Sequence, residues 1–209
     1  MGTLIESDNE IFYEVLDTAL EVINNSGVPY LLMGGIAATA LGGHRFTHDI
    51  DVFTKPEDAD AILETLAGAG FETEKTDPKW LYKGFLKNVM VDVIFKSSGP
   101  VFLDDEMIER ANTLSFNKRI IRTLSPEDLL VIKALVLNEH SLSMDLNSLR
   151  HLNDVLTIIR TSELDWDYVV RRARMGPKRV LSLLLYAQSL DLLVPDRAIK
   201  SLLTLLEMI

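Results

Sequence analysis

Met33-Gly34-Gly35, followed after an interval by Arg45-Phe46-Thr47-His48-Asp49-Ile50-Asp51-Val52, is the stretch on which the reading of this sequence turns. Tyr30-Leu31-Leu32-Met33 is a short apolar run of the kind a buried strand shows. The two glycines stand where that run gives way to a small-residue helix over 36–41. A helix N-terminus presents unpaired N–H groups and the positive end of the helix dipole, and glycines let a phosphate come close to the backbone. Downstream, Ile50, Val52 and Phe53 interleave with Asp49 and Asp51, the period-2 pattern of a strand. Alternation puts Asp49 and Asp51 on one face. Two carboxylates so placed can hold a divalent cation.

Working outward, the spacing predicts two strands, 81–86 and 89–95, joined by a tight turn at Lys87-Asn88. Asp92 is a lone charge in the apolar run Met90-Val91-Asp92-Val93-Ile94-Phe95. A charge in a central strand is costly unless it is paired or bound to a metal. If this strand lies beside the Asp49–Asp51 strand, three carboxylates converge, which suits two Mg²⁺ ions and a transferring phosphoryl group. The competing reading pairs Asp92 with Arg45 or a lysine as a structural ion pair.

The flanking elements set the fold class. Ser7 and Glu10 read as a capping box for a first helix carrying Ile11, Val15, Leu16, Ala19, Leu20 and Ile23, ended at Asn24-Asn25-Ser26-Gly27. Lys55-Pro56-Glu57 opens a helix with Ala59, Ile62, Leu63 and Leu66 on its apolar face. A short acidic helix over 104–110 precedes a second hairpin about Asn117. The composition changes at Ser125-Pro126-Glu127-Asp128, where Ser125 suits an N-cap and Pro126 the first helical position. Helices are expected over 126–139, 146–160, 166–175, 177–190 and 195–208. The expected fold is α+β: a mixed-sheet domain over 1–124 followed by a helical C-terminal domain over 125–209.

The conjunction of Gly-Gly, an interval of 13 residues, Asp-hydrophobic-Asp-hydrophobic and a later strand Asp resembles the nucleotidyltransferase superfamily with the polymerase-beta-like fold. Arg45-x-Thr47-x-Asp49-Ile50-Asp51 is similar to its small bacterial branch, which includes the AbiEii- and MenT-like toxins and the lincosamide and aminoglycoside nucleotidyltransferases. The resemblance spans about residues 28–96 and extends loosely to 160. It implies that Gly34 and Gly35 cradle the nucleotide phosphates, that Asp49 and Asp51 bind metal, and that Asp92 completes the triad and can act as the base. The second glycine position is often Ser in the superfamily; Gly35 keeps the backbone cradle without the hydroxyl. Arg45 and Thr47 join the nucleotide-binding candidates, Arg45 through its planar fork on a phosphate or else as a salt bridge to Asp49. Lys133, the one charge in the run 129–137, matches a nucleotide-contacting lysine of the AbiEii-like branch, or is a lysine with its stem in the core and its head at the surface.

The resemblance implies a metal-dependent transfer of a nucleoside monophosphate from a nucleoside triphosphate to an acceptor hydroxyl, with release of pyrophosphate. The implied cofactor is Mg²⁺ or Mn²⁺, two ions. The acceptor is an RNA end, a protein or a small molecule such as an antibiotic. The second reading is a catalytically inactive nucleotide- or partner-binding module of the same fold, for example a toxin–antitoxin component, with an antitoxin or a second copy as partner.

Composition narrows the rest. The 209 residues hold no cysteine, which excludes disulfides, zinc–thiolate sites and cysteine nucleophiles. The net charge is -10, with a balance of -9 over residues 1–124, and argues against an extended duplex nucleic acid as partner. Residues 1–10 lack the basic and apolar regions of a signal peptide, and no apolar run approaches bilayer length, so a soluble cytoplasmic protein with no membrane partner is expected. His48-Asp49 spells the pair of the HD phosphohydrolases, but those need an all-helical scaffold and here the pair leads into a strand. His44 and His48 read as solvated loop histidines. Arg171, Arg172, Arg174, Lys178 and Arg179 put five cations in nine residues, either a solvated face or a grip for an RNA or nucleotide acceptor.

Overall fold

The computed structural model describes residues 2–43, 47–140 and 146–208. The chain runs α1 (Gly2–Ser26), β1 (Tyr30–Leu32), α2 (Gly34–Ala40), β2 (Asp49–Thr54), α3 (Ala59–Gly68), β3 (Glu72–Asp77), β4 (Leu81–Leu86), β5 (Val89–Ile94), α4 (Asp105–Glu109), β6 (Asn112–Phe116) and β7 (Arg119–Thr123). Then come α5 (Pro126–His140), α6 (Leu146–Thr161), α7 (Trp166–Arg172), α8 (Pro177–Ser189) and α9 (Asp196–Glu207). Among the described residues every strand precedes residue 124, and the chain beyond it is helical. The expected α+β class, a mixed sheet followed by helices, is the one observed.

The seven strands form one sheet in the order β3-β4-β5-β2-β1-β7-β6. β2 pairs parallel with β5, and β1 parallel with β7; the remaining pairs are antiparallel. Both tight hairpins turn where two consecutive residues take positive φ: Lys87 and Asn88 at 50° and 64°, Asn117 and Lys118 at 44° and 67°. That backbone matches the right-handed twist of the strands it joins.

Strand alternation divides the core in two. Ile50, Val52, Val91 and Val93 face the apolar stripes of α1 (Phe12, Val15, Leu16, Ala19, Ile23) and α3 (Ile62, Leu63, Leu66). Leu31, Met33 and Phe53 belong to the other cluster, with Leu129, Leu130, Ile132 and Leu135 of α5 and Val155 and Ile158 of α6. The sheet is therefore a middle layer between two helical layers. Residues 126–135 of α5 are buried without a break, so this helix is enclosed on all sides. Its N-terminus is closed as the sequence suggests: Ser125 Oγ accepts from the backbone N–H of Asp128 at 3.1 Å, and Pro126 opens the helix.

Three local features differ from expectation. α1 begins at Gly2 and not after Ser7, because Ser7 and Glu10 are tolerated inside a helix as well as at its start. β3 was not expected: Glu-Thr-Glu-Lys-Thr-Asp is polar on both sides and shows no alternation, as suits an exposed sheet edge guarded by charge. α7 ends at Arg172, and 173–175 continue as a 3-10 turn.

Candidate active site

The register of the sheet assembles the site. Asp51 of β2 lies directly across from Asp92 of β5, and Asp92 directly across from Lys83 of β4. Asp49 is two residues along β2 on the same face, so three carboxylates from two strands point to one place. One carboxylate oxygen from each of Asp49, Asp51 and Asp92 falls within 4.8 Å of the others. This is the face turned toward the helices that follow the sheet, whereas Ile50 and Val52 turn to α1 and α3.

Gly34 makes room for this cluster. Its φ is +62°, and a Cβ there would lie 1.7 Å from Asp51 Oδ2 and 2.4 Å from its Cγ. No other residue type fits both the left-handed backbone and the carboxylate pressed against it. The backbone N–H of Gly35 donates to that carboxylate, and the Met33 N–H donates to the Asp51 carbonyl at 3.0 Å. The glycine pair that the sequence suggests for phosphate thus already serves to seat Asp51.

The remaining contacts are hydrogen bonds and ion pairs. Thr47 is buried and its hydroxyl donates to Asp49 Oδ1 at 2.7 Å. Lys83 Nζ donates to Asp92 Oδ1 at 2.7 Å and to the Met90 sulfur at 2.9 Å. Burial pushes the Asp51 carboxyl up to about 7, the charges of Asp49 and Asp92 push the same way, and Lys133 and the Gly35 N–H oppose them. Burial also raises Asp92, against the pull of Lys83. Crowded acids with so little neutralisation invite a hard divalent cation, for which carboxylate oxygens are the fitting donors.

The cluster opens into a cavity of about 910 Å³ between the sheet and α5–α6. Gly34, Gly35, Thr47, His48, Asp49 and Asp51 line one part of it; Lys79, Trp80, Lys96 and the loop 97–100 line another. Lys133 of α5 and Arg150 and His151 of α6 complete the wall.

Residues 3–190 match the family model described as an uncharacterised nucleotidyltransferase. The chain belongs to this nucleotidyltransferase family. No curated protein matches it. Among solved structures it is similar to ANT(2")-Ia in complex with adenylyl-2"-tobramycin, at 15% identity and a TM-score of 0.56, over 84% of this chain and 96% of that one. It is also similar to an antigenic nucleotidyltransferase-like protein from Paracoccidioides brasiliensis, at 18% identity and a TM-score of 0.56, over 94% and 93%. At these identities the likeness is one of fold.

In this nucleotidyltransferase the fold brings together Gly34, Gly35, Thr47, Asp49, Asp51 and Asp92 as the sequence suggests. Lys133 reaches the cavity wall but is buried in an ion pair with Asp154 at 2.8 Å. A lysine inside an enclosed helix needs such a partner. Arg45 and His44 lie outside the described residues. His48 is exposed at the cavity edge. Sequence reasoning missed Lys83, Lys79, Lys96 and Arg150; only strand register and packing reveal them. The basic cluster is mostly engaged within the fold: Arg171 pairs with Glu106, Arg172 with Asp104 and Asp128, and Arg179 donates to the Leu135 carbonyl. None of the described helices is long and apolar enough to cross a membrane.

Proposed function

We propose that the protein transfers a nucleoside monophosphate from a nucleoside triphosphate to an acceptor hydroxyl in a divalent-metal-dependent reaction. The observation that carries this reading is the convergence of Asp49, Asp51 and Asp92 within 4.8 Å, with Asp49 and Asp51 in the wall of a cavity that Lys79, Lys96 and Arg150 also line. These three residues hold the metal, with Mg²⁺ or Mn²⁺ as the ion and two ions as the complement. Divalent cations supply the charge neutralisation that a triphosphate and a leaving pyrophosphate require. Lys96 adds positive charge to the cavity wall that receives the triphosphate, with Gly34, Gly35 and Thr47 beneath it, while Lys133 stands in the same wall paired with Asp154.

In the step itself, the acceptor oxygen bonds to the α-phosphorus as the bond from that phosphorus to the β-bridging oxygen breaks, and pyrophosphate leaves. The hydroxyl proton passes to Asp92, whose burial makes it a stronger base than a solvated carboxylate. Lys83 holds Asp92 Oδ1, which leaves Oδ2 as the accepting oxygen. In the same reading the sheet part, 1–124, carries the metal and phosphates, and the helical part, 125–209, forms the opposite wall of the cleft.

The test is incubation of the protein with each labelled nucleoside triphosphate, Mg²⁺ or Mn²⁺, and cell extract. Label appearing on RNA, protein or a metabolite supports the reading and names the acceptor. Tight nucleotide binding with no label transferred favours a binding module of the same fold and overturns it.

A further inference from the structure

Trp80 is an exposed indole, 43% accessible, at the wall of the same cavity that holds the carboxylates. An exposed tryptophan is ordinarily free to turn, yet this one is fixed at three points. Its backbone N–H donates to the Asp77 carbonyl at 3.1 Å, and its carbonyl accepts from the Phe95 N–H at 3.0 Å. Its indole Nε1–H donates to Asp77 Oδ2 at 3.1 Å, while Asp77 Oδ1 accepts from the Lys79 N–H at 2.9 Å. One aspartate therefore sets both the turn and the ring, and the indole's polar edge is satisfied away from any ligand. What remains to offer is the flat apolar surface.

The surroundings specify the ligand. Lys79 and Lys96 line the cavity beside Trp80. Loop 97–100, which also lines it, is closed by the Ser97 N–H donating to the Val101 carbonyl at 2.8 Å. Away from Asp49 and Asp51, the described lining carries Lys79, Lys96 and Arg150, with Lys133 paired to Asp154 behind it, and no carboxylate. A polycationic acceptor finds no counter-charge there; a planar ring attached to phosphates finds both a stacking surface and cations. Trp80 stands three residues before Lys83, whose register partner is Asp92. Trp80 immediately precedes β4, and its carbonyl takes the N–H of Phe95, three residues beyond Asp92, so it sits about 10 Å along the sheet from Asp92, within the span of a nucleotide laid from phosphate to base.

We propose that Trp80 is the stacking platform for the base of the incoming nucleoside triphosphate, held ready by Asp77. This rests on the nucleotidyl-transfer reading above and adds the residue that receives the base. Base–aromatic stacking tolerates every base, so Trp80 supplies affinity with little choice among bases.

The chain carries two tryptophans; Trp166 is buried and does not line the cavity, so quenching by contact with a ligand in the cavity acts on Trp80, and Trp80→Ala removes that quench. The full-length protein is titrated with each nucleoside triphosphate, with inorganic tripolyphosphate and with a short oligoribonucleotide, all with Mg²⁺, and binding is followed in parallel by calorimetry. Nucleoside triphosphates are expected to quench, and tripolyphosphate to bind without quenching. Trp80→Ala is expected to weaken nucleoside triphosphate binding about tenfold and Trp80→Tyr far less, with tripolyphosphate binding unchanged in both. Unchanged tripolyphosphate binding also shows that the variants are folded. Calorimetric binding of nucleoside triphosphates without a quench, or with wild-type affinity in Trp80→Ala, overturns the platform while leaving the transfer reading standing. A quench by the oligoribonucleotide alone overturns the assignment to the incoming nucleotide. No binding of any nucleoside triphosphate to the wild-type protein overturns the transfer reading, and the platform with it.

Discussion

The acids around the start of α5 and the acids on the sheet are both withdrawn from water, but their charge is met differently. Asp128 is fully buried, and it receives Arg172 Nε at 3.0 Å, the Ser125 hydroxyl at 2.8 Å and the Tyr168 hydroxyl at 3.0 Å. Arg172 also reaches Asp104 at 2.6 Å, and Asp104 in turn caps α4 through the Met107 N–H. Arg110 lies over the Tyr168 ring at 3.9 Å. Asp128 and Asp104 thus share a cation, and the neighbouring buried Glu127 accepts from the Asp165 backbone N–H at 2.8 Å. On the sheet, Asp49 receives a threonine hydroxyl, Asp51 a backbone N–H, and only Asp92 a lysine. Lys133 acts on Asp51 through space but is already bound to Asp154. The first cluster meets its acid charge with Arg172, although Arg172 Nη2 is buried without a partner, and it ties α4, α5 and α7 together. The second is short of positive charge and has a cavity in front of it. Shifted carboxyls occur in both, so a shift by itself does not distinguish a structural network from a site; the missing counter-charge does.

That contrast is broken most directly by removing one acid from each cluster. Asp51→Asn is expected to lower transfer by about three orders of magnitude, since a metal site contributes several kcal/mol to such a transition state. Its melting temperature should stay the same or rise, because a crowded charge is removed. Turnover equal to wild type would show that the sheet cluster is not the site. Asp128→Ala is the mirror experiment. It leaves Arg172 with Asp104 as its one carboxylate and takes the acceptor from the Ser125 and Tyr168 hydroxyls, and is expected to cost about 3 kcal/mol in urea denaturation, with activity retained by the folded fraction. A loss below about 1 kcal/mol would mean that the α5 network contributes no more than a surface pair.

A third experiment sharpens the difference from the ligand's side. Mg²⁺ or Mn²⁺ at a hundred times its dissociation constant should stabilise the wild-type protein by about 2.7 kcal/mol. The same ion should stabilise Asp49→Asn and Asp51→Asn much less, and Asp128→Asn as much as wild type. Differential scanning calorimetry reads all four. Equal stabilisation of wild type and Asp51→Asn would move the metal elsewhere.

The two clusters were not equally legible in the sequence. Asp49 and Asp51 stand out because two acids alternate with Ile50 and Val52, and Asp92 because it is alone among apolar neighbours. Their spacing states the chemistry before the sheet is known. Lys83 carries no such mark, since Leu-Tyr-Lys-Gly-Phe-Leu reads as an ordinary hairpin strand; only the β4–β5 register sets it opposite Asp92. Lys133 is visible as a buried-looking lysine, but its partner Asp154 is 21 residues away on another helix, and packing alone joins them. Gly34 is visible as a turn glycine, while its second task, clearing space for the Asp51 carboxylate, needs the approach of β1 and β2. The helices after Ser125 were legible to within a few residues because caps and prolines punctuate them. β3 was not, because an exposed edge strand imposes no apolar period.

The pH dependence is the most discriminating test, because it separates the sheet acids from every other group that titrates. Asp51 is pushed up from its ordinary value of 3.8 to about 7 by burial, with the charges of Asp49 and Asp92 adding to it. A metal binds the ionised carboxylate, so protons compete with it. Apparent Mn²⁺ affinity should therefore climb as pH rises toward about 7 and level off above it. Stability without metal runs the other way. A carboxyl raised in the folded state contributes stability that is full below its unfolded value and is lost as pH rises through its folded value. The metal-free wild type should then lose stability relative to Asp51→Asn between about pH 4 and pH 7. Asp128 is also raised by burial, but it is present in both proteins and cancels in the difference. Denaturation of the pair across this range, with chelator and then with metal, reads the effect. Parallel curves in chelator would mean that Asp51 keeps an ordinary carboxyl, and that the sheet acids are no more in want of a cation than those beside Arg172.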